Sequence, residues 1–344
     1  MTSRLWSAGK SGLWPGFPAG QAYADHALAL DFKNSQYRAG AAYSADPATL
    51  PGYAMVRSGA KSRFNAAGSL LTNAAANVPL IVPGEGYWAE AAYTNLLLNA
   101  GGAANLNTQT TAALAAVPHT IAFYGTGTIA FSGSYAGANL VGTGAANQVS
   151  RTFTPAAAPL TVTVTGQVTY AVLAAGALVA PIIQTAGATA AVAADNLSAS
   201  VNPVLADADF LWWAACNFGP ASAGAEVVAL MGGNSSWIGR NAGNLYIELN
   251  VGTYFVSSPP CIGQRGVVMM RRRGGKTALC HKIGGVVTLA AESGANALNA
   301  GAASFAVGQY GPGGGFAPNV AIEGVFIRLG TFSDAEITAI LTAA

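Results

Sequence analysis

Leu160 to Val168 reads LTVTVTGQV, a strict alternation of apolar and hydroxyl residues closed by a glycine. That is the period of a half-buried strand, because successive side chains on a strand point to opposite faces. The 27 residues that follow from Val168, VTYAVLAAGALVAPIIQTAGATAAVAA, carry no charge and are long enough to cross a bilayer as a helix. Their content argues against it. Most of the apolar residues are Ala, which adds little to insertion, and Gly176, Pro181 and Gly187 interrupt the run. A strand at Thr169 to Leu173, followed by an Ala-rich linker, is the expectation, with no membrane span.

The same pattern recurs. Between residues 89 and 186 short runs such as TIAFYGTGTIAF, QVSRTFT and TYAVL sit between glycine turns, which predicts a jelly-roll-like β-sandwich. AGATAAVAAD, residues 186 to 195, reads as a linker. Residues 196–344 repeat the pattern in a larger unit, with DFLWWAACNF, EVVALMGG, LYIELNV, RGVVMMRRR, TALCHKIGG and NVAIEGVFIRLG as successive strands. Residues 1–88 are broken by Gly and Pro, as in GLWPGFPAG, and read as an extended N-terminal arm. One helix is expected, in SDAEITAILTA: Ser333 and Glu336 have capping-box spacing, and Ile337, Ile340 and Leu341 share a face that would close the open end of a sandwich. The fold class is therefore all-β: an arm, a jelly-roll-like sandwich and a second sandwich with a short C-terminal helix.

Only 9% of the residues are charged, against about 25% in ordinary soluble domains. A surface so weakly charged does little to keep copies apart, so the chain is expected to pack against itself or other subunits. The net charge of +2 gives no case for nucleic acid, and no aromatic residues interleave the one basic cluster to stack bases. Cys216, Cys261 and Cys280 are odd in number and widely spaced, which reads as buried reduced thiols. The first 20 residues lack a continuous apolar segment of the secretory kind, so if the protein acts outside the cell that made it, another route such as cell lysis is expected.

Three groups of residues resemble a known family. RFNAAGSLLTNAAANVP (residues 63–79) followed by YTNLLLN (93–99) is similar to a segment of tailed-bacteriophage virion structural proteins of the fibre, spike or decoration type. There it leads into a carbohydrate-binding-like β-sandwich, and HTIAFYGTGTIAFSG and RTFTPAAAPLTVTVTG continue the likeness. GNLYIELNV, RGVVMMRRRGGKTALCHKIGG and GVFIRLGTFSDAEI, in that order, resemble a concanavalin A-like lectin domain of the laminin-G type. The resemblance implies a non-enzymatic virion protein whose arm docks on other virion proteins and whose last sandwich meets a host surface polysaccharide. It also implies a homo-oligomer, with a trimer favoured. A virion depolymerase and a cement protein without ligand remain alternatives.

Few residues carry chemistry. AGKSG at Ala8 to Gly12 lacks the upstream glycine of a phosphate loop, since Arg4 stands in its place. Glucanases of the concanavalin-like fold carry E-x-D-x-x-E along one strand. Glu248 is the nearest candidate, but Asn250 and Thr253 hold the other two positions. Asp207 and Asp209 precede a strand and more naturally cap a turn. His26, His119 and His281 lack ligand spacing, so no metal and no cofactor are expected, and calcium enters only through the resemblance. Cys280 and His281 are strand neighbours that face opposite ways, which rules out a thiolate dyad.

Two ligand-binding readings stand beside plain structural ones. RRRGGK places Arg271, Arg272, Arg273 and Lys276 around a two-glycine hairpin: either a solvated tip or a clamp for an anionic ligand. For a neutral glycan the candidates are Trp237 with Asn234 and Asn241, then Tyr254 and Tyr310. Packing between sheets is the competing role for Trp237.

Overall fold

The computed structural model describes residues 23, 25–64, 69–73, 76–82, 84–200, 209–218, 225–231, 236–250, 253–257, 260–294, 305–308 and 320–344. Over these the chain is all-β, with antiparallel sheets and one helix.

The larger sandwich pairs a ten-stranded with a seven-stranded sheet. The centre of the first is Phe210–Asn217, flanked by Arg265–Arg273 and Val320–Leu329; the centre of the second is Ala225–Met231, flanked by Ser236–Asn241 and Phe305–Val307, with Asn244–Asn250 on the far side of Ser236–Asn241. Alternation decides which side chains meet between them. Trp212, Val268, Met270, Val325 and Ile327 from one sheet pack on Met231, Ile238, Leu245, Ile247 and Phe305 from the other. Side chains of this size each stabilise by about 1.5–3 kcal/mol when taken fully out of water.

The stretch expected to be an arm joins this sandwich through its strands at residues 28–31, 36–39, 42–44, 53–56, 81–82 and 86–89. Leu28–Asp31 and Gly86–Ala89 pair with Val320–Leu329 in the ten-stranded sheet, and Tyr53–Val56 pairs with Asn196–Ala199 in the seven-stranded one. Leu28, Leu30, Phe32, Tyr37, Met55 and Tyr87 are core residues. Their strands are only three or four residues long, too short for periodicity to show, and glycine and proline turns between them imitate an extended chain. The first 22 residues lie outside the described residues.

The second sandwich is inserted into the first. It begins at Tyr93–Asn95 and ends at Ala190–Val192, and these two strands pair with each other, so the stretch read as a linker closes the inserted unit instead. A four-stranded sheet carrying Thr128–Gly133 and Pro159–Thr165 faces a three-stranded sheet of Gly144–Phe153, His119–Gly125 and Thr169–Ala175. Leu160 and Val162 turn inward against Ile121, Phe123 and Leu173, as the LTVTVTG alternation predicts. The uncharged stretch begins as the strand Thr169–Ala175, which is buried on both faces: Ala171 and Leu173 in the sandwich core, Val172 and Ala174 in a second cluster with Tyr93, Ile183 and Val192. A strand covered on both faces has no position for a charge, which explains the composition without a membrane. No helix among the described residues is long and apolar enough to cross one.

The helix Asp334–Ala343 begins with the expected capping box, Ser333 accepting from the Glu336 amide. It does not close the open end of a sandwich. Ile337 and Leu341 lie on the outer face of the ten-stranded sheet, against a cluster with Leu211, Trp213, Met269, Cys280 and Phe326. Seven of the eight residues of Phe210–Asn217 are buried. A central strand apolar on both faces needs a cover on its outer side, and the helix supplies it.

A buried charge cluster joins the two sandwiches. Lys61 reaches Glu90 at 2.7 Å and also pairs with Asp195, while Arg57 reaches Asp195 at 2.9 Å. All four are at most 2% exposed. Arg63 extends the cluster outward, bonding Glu90 at 3.0 Å and lying 3.4 Å over the Trp88 ring. Ser62 exchanges two backbone hydrogen bonds with Ile182 of the inserted unit. The hairpin holding Lys61–Phe64 is thereby fixed against the inserted sandwich.

Candidate functional site

Phe64, at the end of that hairpin strand, is where the two units build a pocket. The cavity is about 350 Å3, within the range of small-ligand sites. Its walls come from an irregularity at one end of the central strand His119–Gly125. On one side the register with Gly144–Phe153 shifts between Tyr124 and Gly125, which pair with Gln148 and Gly144, leaving Ala145, Ala146 and Asn147 as extra residues. On the other side the register with Thr169–Ala175 shifts between Ala122 and Tyr124. Such bulges bend a strand and re-aim its side chains.

Tyr170 lies in the second shift with φ of 51°, a left-handed conformation that costs a non-glycine residue about 1–2 kcal/mol. A hydrogen bond from its amide to the Gly102 carbonyl, 2.8 Å, holds it there. Strain of this kind persists where the surroundings fix it, and it clusters at functional sites. Its effect is a right-angled aromatic corner. Phe64 lies against Tyr124 with centroids 4.2 Å apart and the rings tilted by 31°, and Tyr170 meets Phe64 edge-on at 5.1 Å and 82°. Tyr170 and Phe64 are half-buried; Tyr124 beneath them is buried, and burial raises its phenol above the usual value.

The polar groups are neutral. Gln167 is exposed at the rim, Gln148 donates to the Tyr124 hydroxyl at 3.0 Å, and the Thr169 hydroxyl donates to the Tyr124 carbonyl. No charged side chain is among the described residues that line the cavity. The arrangement offers flat apolar faces beside amide donors and acceptors, which suits a neutral polyhydroxylated ligand. None of its aromatic residues was singled out from the sequence. Only Tyr124 has a glycine neighbour, Gly125, and Phe64 and Tyr170 carry no local signal; the corner exists because two shifts in register bring them together.

The residues that were singled out lie elsewhere. Trp237 is 3% exposed, stacked on Tyr246 at 4.5 Å, with its indole N–H donating to Glu248 at 2.8 Å. It packs with Val227 and Leu230, neither of which joins the inter-sheet core, so it lies outside the seven-stranded sheet rather than between the sheets, and offers no open plane for a sugar. Asn241 pairs with Asn244 at the following hairpin. Asn234 and Tyr310 lie outside the described residues, and Tyr254 is described only as backbone in Thr253–Val256.

The anionic clamp meets a similar correction. Gly274 and Gly275 form the expected hairpin turn at positive φ. However, Arg271 is buried and bonds Asp334 at 2.6 Å, Arg273 donates to Glu292 at 2.8 Å, and Arg272 is 4% exposed. Lys276 is exposed at the turn. Arg271 and Arg273 thus pair with Asp334 and Glu292 and tie the start of the helix to the sheet. Asp209 caps this turn, accepting from the Gly274 amide at 2.7 Å, while Asp207 lies outside the described residues.

Other titratable groups have structural roles. Cys216, Cys261 and Cys280 are buried and free, as expected. His26 bonds Asp25 at 2.7 Å, and His119 bonds the Val117 carbonyl at 2.8 Å. No group of His, Cys, Asp and Glu among the described residues is arranged to hold a metal. Asp31 and Glu323 are buried carboxylates whose affinities diverge. Burial raises Asp31, whereas Glu323 ends below its usual value because bonds from Arg265 and Lys33 outweigh its burial. Their cavity is about 10 Å3, the room of a single water.

No family model matches this chain, and no curated protein matches it. Among solved structures it is similar to the CBM40 module of a Ruminococcus gnavus IT-sialidase, at 14% identity over 40% of this chain and 84% of that one, with a TM-score of 0.31. It is also similar to the binding domain of botulinum neurotoxin DC in complex with rat synaptotagmin II, at 9% identity over 44% of this chain and 40% of that one, with a TM-score of 0.30. Each similarity spans less than half of this chain.

Proposed function

We propose that the protein is a surface subunit of a bacteriophage virion, of the fibre, spike or decoration type, and that it holds a neutral host-surface glycan without cleaving it. The observation that carries the binding is the pocket lined by Phe64 and Tyr170 above Tyr124, with its aromatic corner, neutral amides and no charged side chain among its described lining residues. The virion assignment rests on the phage-like segments at residues 63–79 and 93–99 and on the charge-poor surface. In this reading the N-terminal residues dock on other virion proteins and the chain forms a homo-oligomer, trimeric in keeping with fibre relatives.

A non-catalytic role fits the carboxylates. Hydrolysis of a glycosidic bond takes two of them flanking the sugar. Asp31 and Glu323 face a space too small for a sugar, and Glu248 is bonded to Trp237.

Titration calorimetry of the purified chain against a panel of neutral bacterial oligosaccharides tests the binding. Heat of binding is expected, reduced at least roughly tenfold in affinity by Tyr170→Ala, since stacked aromatic contacts dominate such sites. No binding across the panel, or equal binding by the variant, would overturn this placement of the site. Release of new reducing ends would move the protein to the depolymerase reading. Antibody labelling of purified particles tests virion membership; unlabelled particles would remove it.

A further inference from the structure

The pocket at Phe64 and Tyr170 has a wall whose chemistry goes beyond neutral binding. Ala145 and Ala146, inserted by the register shift, and Ala103 opposite present methyl groups to the cavity. All three are exposed, so the wall is apolar yet open, and nothing in the sandwich core requires alanine there. Beside them Gln167 is exposed at the rim, with a carbonyl to accept and an amide to donate. An acetamido group matches this set: its methyl fits against alanine, and its N–H and C=O pair with a primary amide. A plain hydroxyl would leave the alanine wall facing water. No charged side chain is among the described lining residues, and the nearby Arg63, whose charge reaches Tyr124, is already paired with Glu90, so a carboxylated or phosphorylated sugar would lose its hydration without a counter-charge of its own.

We infer that the pocket selects an N-acetylated amino sugar, a 2-acetamido hexose, its pyranose ring against the aromatic corner and its acetamide between Gln167 and the alanine wall. The inference rests on the glycan-binding reading above.

Saturation-transfer NMR and calorimetry on the full chain would compare N-acetylglucosamine and N-acetylgalactosamine with glucose, galactose and glucosamine. The acetylated sugars are expected to bind roughly tenfold tighter or more than their parents, the scale of discrimination one well-placed group provides. Gln167→Ala, an exposed change that leaves the fold alone, should erase most of that preference, and Ala146→Leu should remove it by filling the wall. Equal affinity for glucose and N-acetylglucosamine, or a preference unchanged in Gln167→Ala, would overturn the acetamido assignment and leave the glycan reading intact. Absence of binding by every sugar would overturn both.

Discussion

The Asp195 carboxylate accepts the backbone N–H of Glu90 at 3.0 Å, and the Asp195 amide donates back to the Glu90 carbonyl at the same distance. Glu90 is where the chain leaves the larger sandwich and Asp195 is where it returns, 105 residues later. The inserted unit therefore hangs from two strands bonded to each other, and Lys61 bridges both carboxylates. This fixes the angle at which Phe64 meets Tyr170.

Lys61→Met tests that junction. It leaves Glu90 and Asp195 buried with one cation fewer, and removing one partner from a buried ion pair costs about 3–5 kcal/mol. Urea unfolding followed by tryptophan fluorescence should show a loss of that size. An unchanged midpoint would mean that water reaches the cluster.

Gly86 has φ of 118°, and a Cβ there would stand 2.3 Å from the Ile322 carbonyl oxygen. Gly86→Ala adds backbone strain of about 1–2 kcal/mol and overpacking of about 1–3 kcal/mol against backbone that cannot yield. The expected outcome is a loss of roughly 2–5 kcal/mol in denaturant. Wild-type stability would show that Gly86–Ala89 is not seated on Val320–Leu329 as described.

His281 is 4% exposed, and burial lowers its pKa. The unfolded imidazole takes its proton near pH 6.5, before the folded one does. Its contribution to stability is therefore complete above about pH 6.5 and is lost as pH falls through and below that value. His26, also lowered by burial, acts in the same direction. The melting temperature should decline between pH 7 and 5, and His281→Leu should flatten part of that slope. A variant with the wild-type slope would contradict the assignment.

Ser333 accepts from the Glu336 amide through its side chain, and its own backbone N–H donates to the Glu336 carboxylate at 2.8 Å. Ser333→Ala should cost about 1 kcal/mol. Because the helix covers Leu211 and Trp213, hydrogen exchange should quicken first in Asp334–Ala343. Unchanged protection there would show that packing of Ile337 and Leu341 alone holds it.

The sequence by itself determined the secondary structure class, the inward face of LTVTVTG, the two-glycine hairpin at Gly274 and the helix cap at Ser333. Each is a local matter of side-chain period, positive φ or a cap a few residues away. Only the tertiary structure decided that Leu28–Asp31 joins a sheet with Val320–Leu329, that one sandwich is inserted in the other, and that Arg271 faces Asp334 rather than a ligand. The pocket belongs with these. Phe64, Tyr124 and Tyr170 lie far apart along the chain, and what unites them is two register shifts and a hairpin held by a buried ion cluster. Pairing between distant strands leaves no period in sequence, because the partner of each hydrogen bond is chosen by the packing of the whole sheet.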